Sequence, residues 1–206
     1  MSAATVVLAV GAVLVSVVRR LRGVGLVADD LFGGPVVLVG IGLYQLLRAA
    51  PALRVVDGAW LAGSLALGVV VGGARGATVR LVSRNGALMQ RYTAATLAVW
   101  AASFVVSAGY GLVAQAGGMH AEARPMVLSI GVGMLGETAV LGVRALSTGL
   151  PFSPGARRGG ANWVDRFVAA ARKARPVTPP ADGRLERSPR VRDGLAWLAG
   201  RSRRRR

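Results

Sequence analysis

Long uncharged runs, divided by short stretches that carry most of the arginines, constrain this chain more than anything else in it. Ala3 to Val18, Leu31 to Leu47, Gly58 to Gly73, Thr93 to Ala116 and Met126 to Leu146 hold few polar residues, and only the last holds charged ones, Glu137 and Arg144. A helix needs roughly 20 apolar residues to cross the hydrocarbon of a bilayer, so the runs predict five transmembrane helices, the first and third being the shortest. Hydrophobic residues at 53% and charged ones at 17% fit lipid rather than water as the main solvent. The expected fold is an all-α membrane protein: a five-span bundle over residues 1–150, then a basic tail over 151–206.

Orientation follows from the arginines, because basic loops stay on the cytoplasmic side. With the N-terminus outside, Arg19, Arg20 and Arg22, the stretch holding Arg75, Arg80, Arg84 and Arg91, and the tail all lie inside. Only Arg48, Arg54 and Arg124 lie outside. A signal peptide carries its charge before the apolar run, whereas here the arginines follow it, so the first run reads as an uncleaved anchor. The expected location is a bacterial cytoplasmic membrane, multi-pass, with a cytoplasmic C-terminus. The net charge of +17 is uneven, with fifteen basic and four acidic residues from Pro151 onward.

Between the third and fourth runs, Gly72 to Tyr92 is polar and alternating. Asn85-Gly86 is a two-residue turn signal, since both central positions of a type I′ turn need positive φ. The hairpin this predicts sets Arg84 opposite Ala87, Val82 opposite Met89 and Arg80 opposite Arg91, with arginines on one face and Val79, Leu81, Leu88 and Tyr92 on the other. An irregular basic loop is the alternative. Arg75, Arg80, Arg84 and Arg91, with Arg203, Arg204, Arg205 and Arg206 at the end of the chain, are expected to contact anionic headgroups.

Glu137 stands near the centre of the fifth run. A carboxylate in lipid demands a partner or neutralisation, and Arg144 lies two turns along nearly the same face. Ser103 or Ser107, at matching depth on the fourth run, is expected to hydrogen-bond a neutral Glu137 and join the two helices; a proton or cation pathway is the competing reading. Gly68 and Gly72 form a G-x-x-x-G pair, and Gly133 and Gly136 flank Glu137, so close helix packing is expected at both. Pro35 is placed in the first turn of its helix, where its missing N–H costs little.

In the tail, Asn162 is a candidate cap for a helix with Trp163, Phe167 and Ala171 opposite Arg166, Arg172 and Lys173. A second helix from Ser188-Pro189 has Val191, Leu195 and Leu198 on one side beside Arg190 and Arg192. Basic amphipathic helices of this kind favour an anionic bilayer surface. Arginine runs also attract nucleic-acid phosphates, but without a recognition fold nucleic acid is not an expected partner.

The chain has no cysteine, which excludes disulfides, thiolate metal sites and covalent haem attachment. His120 is the single histidine and reads as an exposed loop residue. No catalytic set, metal site or cofactor is expected.

The run L-A-G-S-L-A-L-G from Leu61, R-G-A-T-V-R-L from Arg75, the turn at Asn85 and Q-R-Y-T leading to Trp100 resemble the CcdC-like family of small bacterial multi-pass membrane proteins, a domain of unknown function. The resemblance spans Val6 to Leu146 and is concentrated between Leu61 and Trp100. It implies a membrane bundle with a charged, glycine-containing loop and supplies no catalytic residue. The expected function is that of a non-enzymatic scaffold or accessory subunit of a membrane assembly, partnered by lipid and by another membrane protein or a second copy. A small permease using Glu137 is the alternative.

Overall fold

A computed structural model describes residues 24–49, 54–120, 123, 126–153 and 163–200. The first run with Arg19, Arg20 and Arg22, and also Pro51, Glu122, Arg124, Pro154, Gly155, Gly159, Gly160, Asn162 and Arg203 to Arg206, lie outside the described residues, as does the side chain of Trp163. The elements are β1 (Val24–Gly25), α1 (Ala28–Ala49), α2 (Val55–Thr78), β2 (Arg80–Arg84), β3 (Ala87–Arg91), α3 (Ala94–Ala116), α4 (Met126–Leu146), α5 (Trp163–Ala174) and α6 (Val191–Leu198).

Among the described residues four helices are long and apolar enough to cross a membrane: Leu31–Arg48 of α1, and α2, α3 and α4. They mark the chain as a membrane protein. The order across the bundle is α3, α2, α4, α1, with α4 at its heart. Glycine makes that order possible, because a side chain at Gly72 or Gly76 would overlap the carbonyls of Gly133 or Glu137, and one at Gly136 would lie 2.5 Å from the carbonyl of Val69. The pairing of Gly68 and Gly72 with Gly133 and Gly136 is thus a backbone-to-backbone contact between α2 and α4.

The third span differs most from its expected bounds. Helix α2 continues past Gly72-Gly73 to Thr78, because a glycine pair in tight contact with α4 is not a break. Only the stretch from Arg80 turns back. There the register is as expected: Arg80 opposite Arg91, Val82 opposite Met89 and Arg84 opposite Ala87, with Asn85 at φ 53° and Gly86 at φ 75°. The sheet gains a strand that was not expected, β1, which pairs antiparallel with β3, and Phe152 bridges to Leu88 beside it.

The hairpin's apolar face supplies the core. Leu81, Leu88, Val79 and Tyr92 are buried with Leu26, Leu150 and, from α4, Leu141 and Ala145. The last two turns of α4 are therefore apolar for the sheet and not for lipid. The tail docks on the same end. Val168 of α5 and Trp197 of α6 pack against Leu146, and Arg175 donates to the Trp197 carbonyl at 2.6 Å while the Trp197 indole donates back to the Arg175 carbonyl at 3.2 Å. The inward stripe of α6 is thus Gly194 and Trp197, and Leu195 and Leu198 stay exposed. That corrects the expected face, and the reason is Gly194, which lets α6 close upon Val143.

Candidate functional site

The sheet end of α2 is where the polar residues meet. A helix leaves its last carbonyls without intrahelical donors, and here three of them, with that of the capping residue Val79, have found partners. The carbonyl of Arg75 accepts from Thr78 Oγ1 at 2.8 Å, that of Thr78 from Thr96 Oγ1 at 3.0 Å, that of Val79 from Arg144 Nη2 at 2.9 Å, and that of Gly76 from Arg144 Nη1. Arg144 also donates through Nε to the Pro189 carbonyl at 2.8 Å and through Nη2 to Ser188 Oγ at 3.2 Å. It is 3% exposed. A buried cation is stabilised by the negative end of a helix dipole, so one guanidinium from α4 ties the end of α2 to the tail.

Two turns from Arg144 along α4, Glu137 has two partners. The Tyr92 hydroxyl donates to Oε1 at 3.0 Å, and Arg75 Nε lies 3.6 Å from Oε2, both charged side chains being largely buried. The Arg75 guanidinium also sits over the Trp100 ring, 5.0 Å from its centroid, a favourable cation–π geometry.

This arrangement revises three expectations. Ser103 does not reach Glu137; its hydroxyl donates to the Val99 carbonyl of its own helix at 2.6 Å, and Ser107 is half-buried on the same helix. Arg75 is no headgroup contact from a loop, since it stands on α2 and turns inward to the acid. And Glu137, central in its own run, has its carbonyl level with Gly76, near the end of α2 and not at the middle of that neighbour. Depth had been counted along α4 alone, whose last turns pack on the sheet.

Arg80, Arg84 and Arg91 are exposed on the outer face of the hairpin. Arg80 separates two clefts. One of about 450 Å³ includes Arg91 and Thr93 in its walls, and one of about 480 Å³ includes Arg144, Arg190 and Arg192.

At the opposite end of the bundle lies a pair that the sequence did not announce. The carboxylate of Asp57 accepts from the backbone N–H of Arg54 at 2.9 Å and of His120 at 2.8 Å, and His120 Nδ1 lies 2.9 Å from Oδ2. His120 is thus tethered, holding the turn after α3 to the start of α2. Among the described residues no group of acids and histidines is arranged to hold a metal. No family model, curated protein or solved structure matches the chain.

Proposed function

We propose that the protein is a non-enzymatic scaffold or accessory subunit of a membrane assembly, resident in a bacterial cytoplasmic membrane with the sheet and tail on the cytoplasmic side. The observation that carries this reading is that Glu137, the acid in the interior of the described spans, is committed to holding helices together: Arg75 and Tyr92 engage both of its oxygens, and glycine contacts close α2 over α4 beside it. A permease needs its acid at a wet cavity. Here the acid joins α2, α4 and the segment entering α3.

Two further features support the reading. Helix α3 packs chiefly on α2 and presents Phe104, Val105, Leu112 and Val113 outward, a flank suited to a second membrane protein as well as to lipid. The basic hairpin and tail form one packed layer, so a partner meets a shaped platform and not loose chain. The likeness to CcdC-like proteins between Leu61 and Trp100 belongs to the same reading, since it too implies a bundle without catalytic residues.

A photo-crosslinker placed at Val105 or Leu112 in native membranes tests it. A discrete adduct with one membrane protein, retained on co-purification, is expected. Adducts with lipid alone, or proton or solute flux in proteoliposomes that Glu137→Gln abolishes without loss of folded protein, would favour the permease.

A further inference from the structure

Helix α5 meets the bundle at one end of a span. The Phe167 ring packs edge to face on that of Phe32, with centroids 6.0 Å apart. Phe32 is the second residue of the candidate span Leu31–Arg48, and Asp29 and Asp30 come directly before that span. Two acids followed by a long apolar run mark where headgroups give way to hydrocarbon, so Phe32 fixes the depth of α5 at that boundary.

A tail helix read from sequence alone is free to lay its whole apolar side on lipid. The structure divides that side. Val168 is buried with Leu146 and Trp197, Ala171 packs against the same cluster, and Arg172 turns inward to donate to the Leu150 carbonyl at 2.7 Å. Phe167, about 100° around the helix from Val168, stays 53% exposed. Ala170 and Ala174 follow it at helical spacing and are exposed too, as are Arg166 and Lys173 on the adjoining strip. Helix α5 thus has a docked side, an open apolar flank and a basic strip. Its three basic residues outnumber the one acid, Asp165, so its net charge suits an anionic surface.

We infer that α5 is an interfacial helix, with the flank of Phe167, Ala170 and Ala174 entering the boundary between headgroups and acyl chains of an anionic leaflet while Arg166 and Lys173 reach its phosphates. Lipid is the occupant that the position selects. Val36, one turn deeper than Phe32 on the same face of α1, is itself exposed, so the open flank of α5 adjoins an apolar stripe of the span. A long cationic side chain beside such a flank keeps its stem on apolar surface and its charge among the headgroups. Arg175 couples α5 to α6 through the Trp197 carbonyl, and the seat of α5 on the leaflet therefore sets the placement of the whole tail. This is independent of the scaffold role and requires only that the helices span a bilayer.

The chain has no cysteine, so one introduced at a chosen place carries a spin label without competition. The full-length A174C and A169C variants, labelled and reconstituted in phosphatidylcholine vesicles with or without phosphatidylglycerol, are relaxed by oxygen, which concentrates in lipid, or by a water-soluble nickel chelate. The label at position 174 is expected to collide mainly with oxygen, and the label at position 169, on the far side of the basic strip, mainly with nickel. Nickel-dominated relaxation at both positions would put the flank in water, and shielding of position 174 from both reagents would put protein over it; either result overturns the proposal. Phosphatidylglycerol should raise the oxygen preference at position 174, and R166Q/K173Q in the same chain should lose that increment. An increment unchanged by R166Q/K173Q would overturn the headgroup contact of the two cations. Size-exclusion profiles confirm that the comparison is between folded proteins.

Discussion

The hydroxyl of Thr138 on α4 donates to the carbonyl of Leu31 on α1 at 3.1 Å, and Leu31 is the residue whose carbonyl Pro35 leaves without a partner. Helix α1 begins at Ala28, so Pro35 lies inside it and not in its first turn as its position before the apolar run had implied. A proline there removes one i to i−4 bond. The cost is met by a neighbouring helix, a usual remedy where no water is at hand. Thr138→Val keeps the shape and removes the donor, and a buried carbonyl left unmade costs about 1–3 kcal/mol. The expected result is a clear fall in thermal stability in detergent, largely relieved when Pro35→Ala restores the backbone donor in the same chain. Additive effects of the two substitutions would show that the bond is incidental.

Arg75 and Glu137 form a second kind of interhelical polar link, one between charged groups. Removing one partner of a buried pair leaves the other uncompensated, at about 3–5 kcal/mol. Glu137→Gln and Arg75→Gln should therefore each lower folded yield markedly, and the double substitution should cost less than the sum by about 1–3 kcal/mol. This reverses what a lone, neutral acid implies, for which Glu137→Gln is silent. Thermal unfolding of the three variants decides between the two accounts.

The hairpin was legible because its information is local: Asn85-Gly86 sets the turn, and the alternation from Val79 to Tyr92 then fixes both register and buried face. The partners of Glu137 were not, since the Tyr92 contact joins residues 45 apart and nothing near Glu137 announces it. Apolar runs mislead in a further way. Leu141, Ala145 and Leu146 read as lipid-facing, yet they pack against Leu26, Leu81, Leu88, Val168 and Trp197, because hydropathy does not distinguish a protein core from a bilayer. Strand β1 is two residues long, too short to show any period.

Asp57 and His120 define the far end of the bundle. The Asp57 side chain is fully buried and accepts two backbone N–H groups, from Arg54 and His120, in addition to facing the imidazole. Asp57→Asn keeps the volume but replaces charge-assisted acceptors by a neutral carbonyl and an amide that must donate, and it should destabilise the fold. His120→Ala leaves the two backbone donors bonded to the carboxylate, and its effect should be smaller. Hydrogen exchange at the Arg54 and His120 amides should rise in Asp57→Asn and stay near wild type in His120→Ala; protection unchanged in Asp57→Asn would mean that the two turns are held by packing around Trp60 and Tyr110 alone.

Gly72 and Gly73 are neighbours in sequence and opposites in consequence. A methyl group on Gly72 would collide with the carbonyl of Gly133, whereas one on Gly73 would meet Val140 Cγ2 at 3.5 Å, an ordinary contact. Gly72→Ala must therefore part α2 from α4 or bend one of them. Overpacking of this kind costs about 1–3 kcal/mol, and parting the helices would also draw Arg144 away from the Gly76 and Val79 carbonyls. Gly73→Ala adds a contact and lowers the entropy of the unfolded helix, so it should be neutral or slightly stabilising. The two variants compared by thermal unfolding, with limited proteolysis between Leu146 and Trp197 as a second reading, test whether glycine at the α2–α4 crossing also governs the docking of the tail. Loss of protection in Gly72→Ala alone is expected, because the tail hangs on Arg144 and Arg144 hangs on the closeness of those two helices.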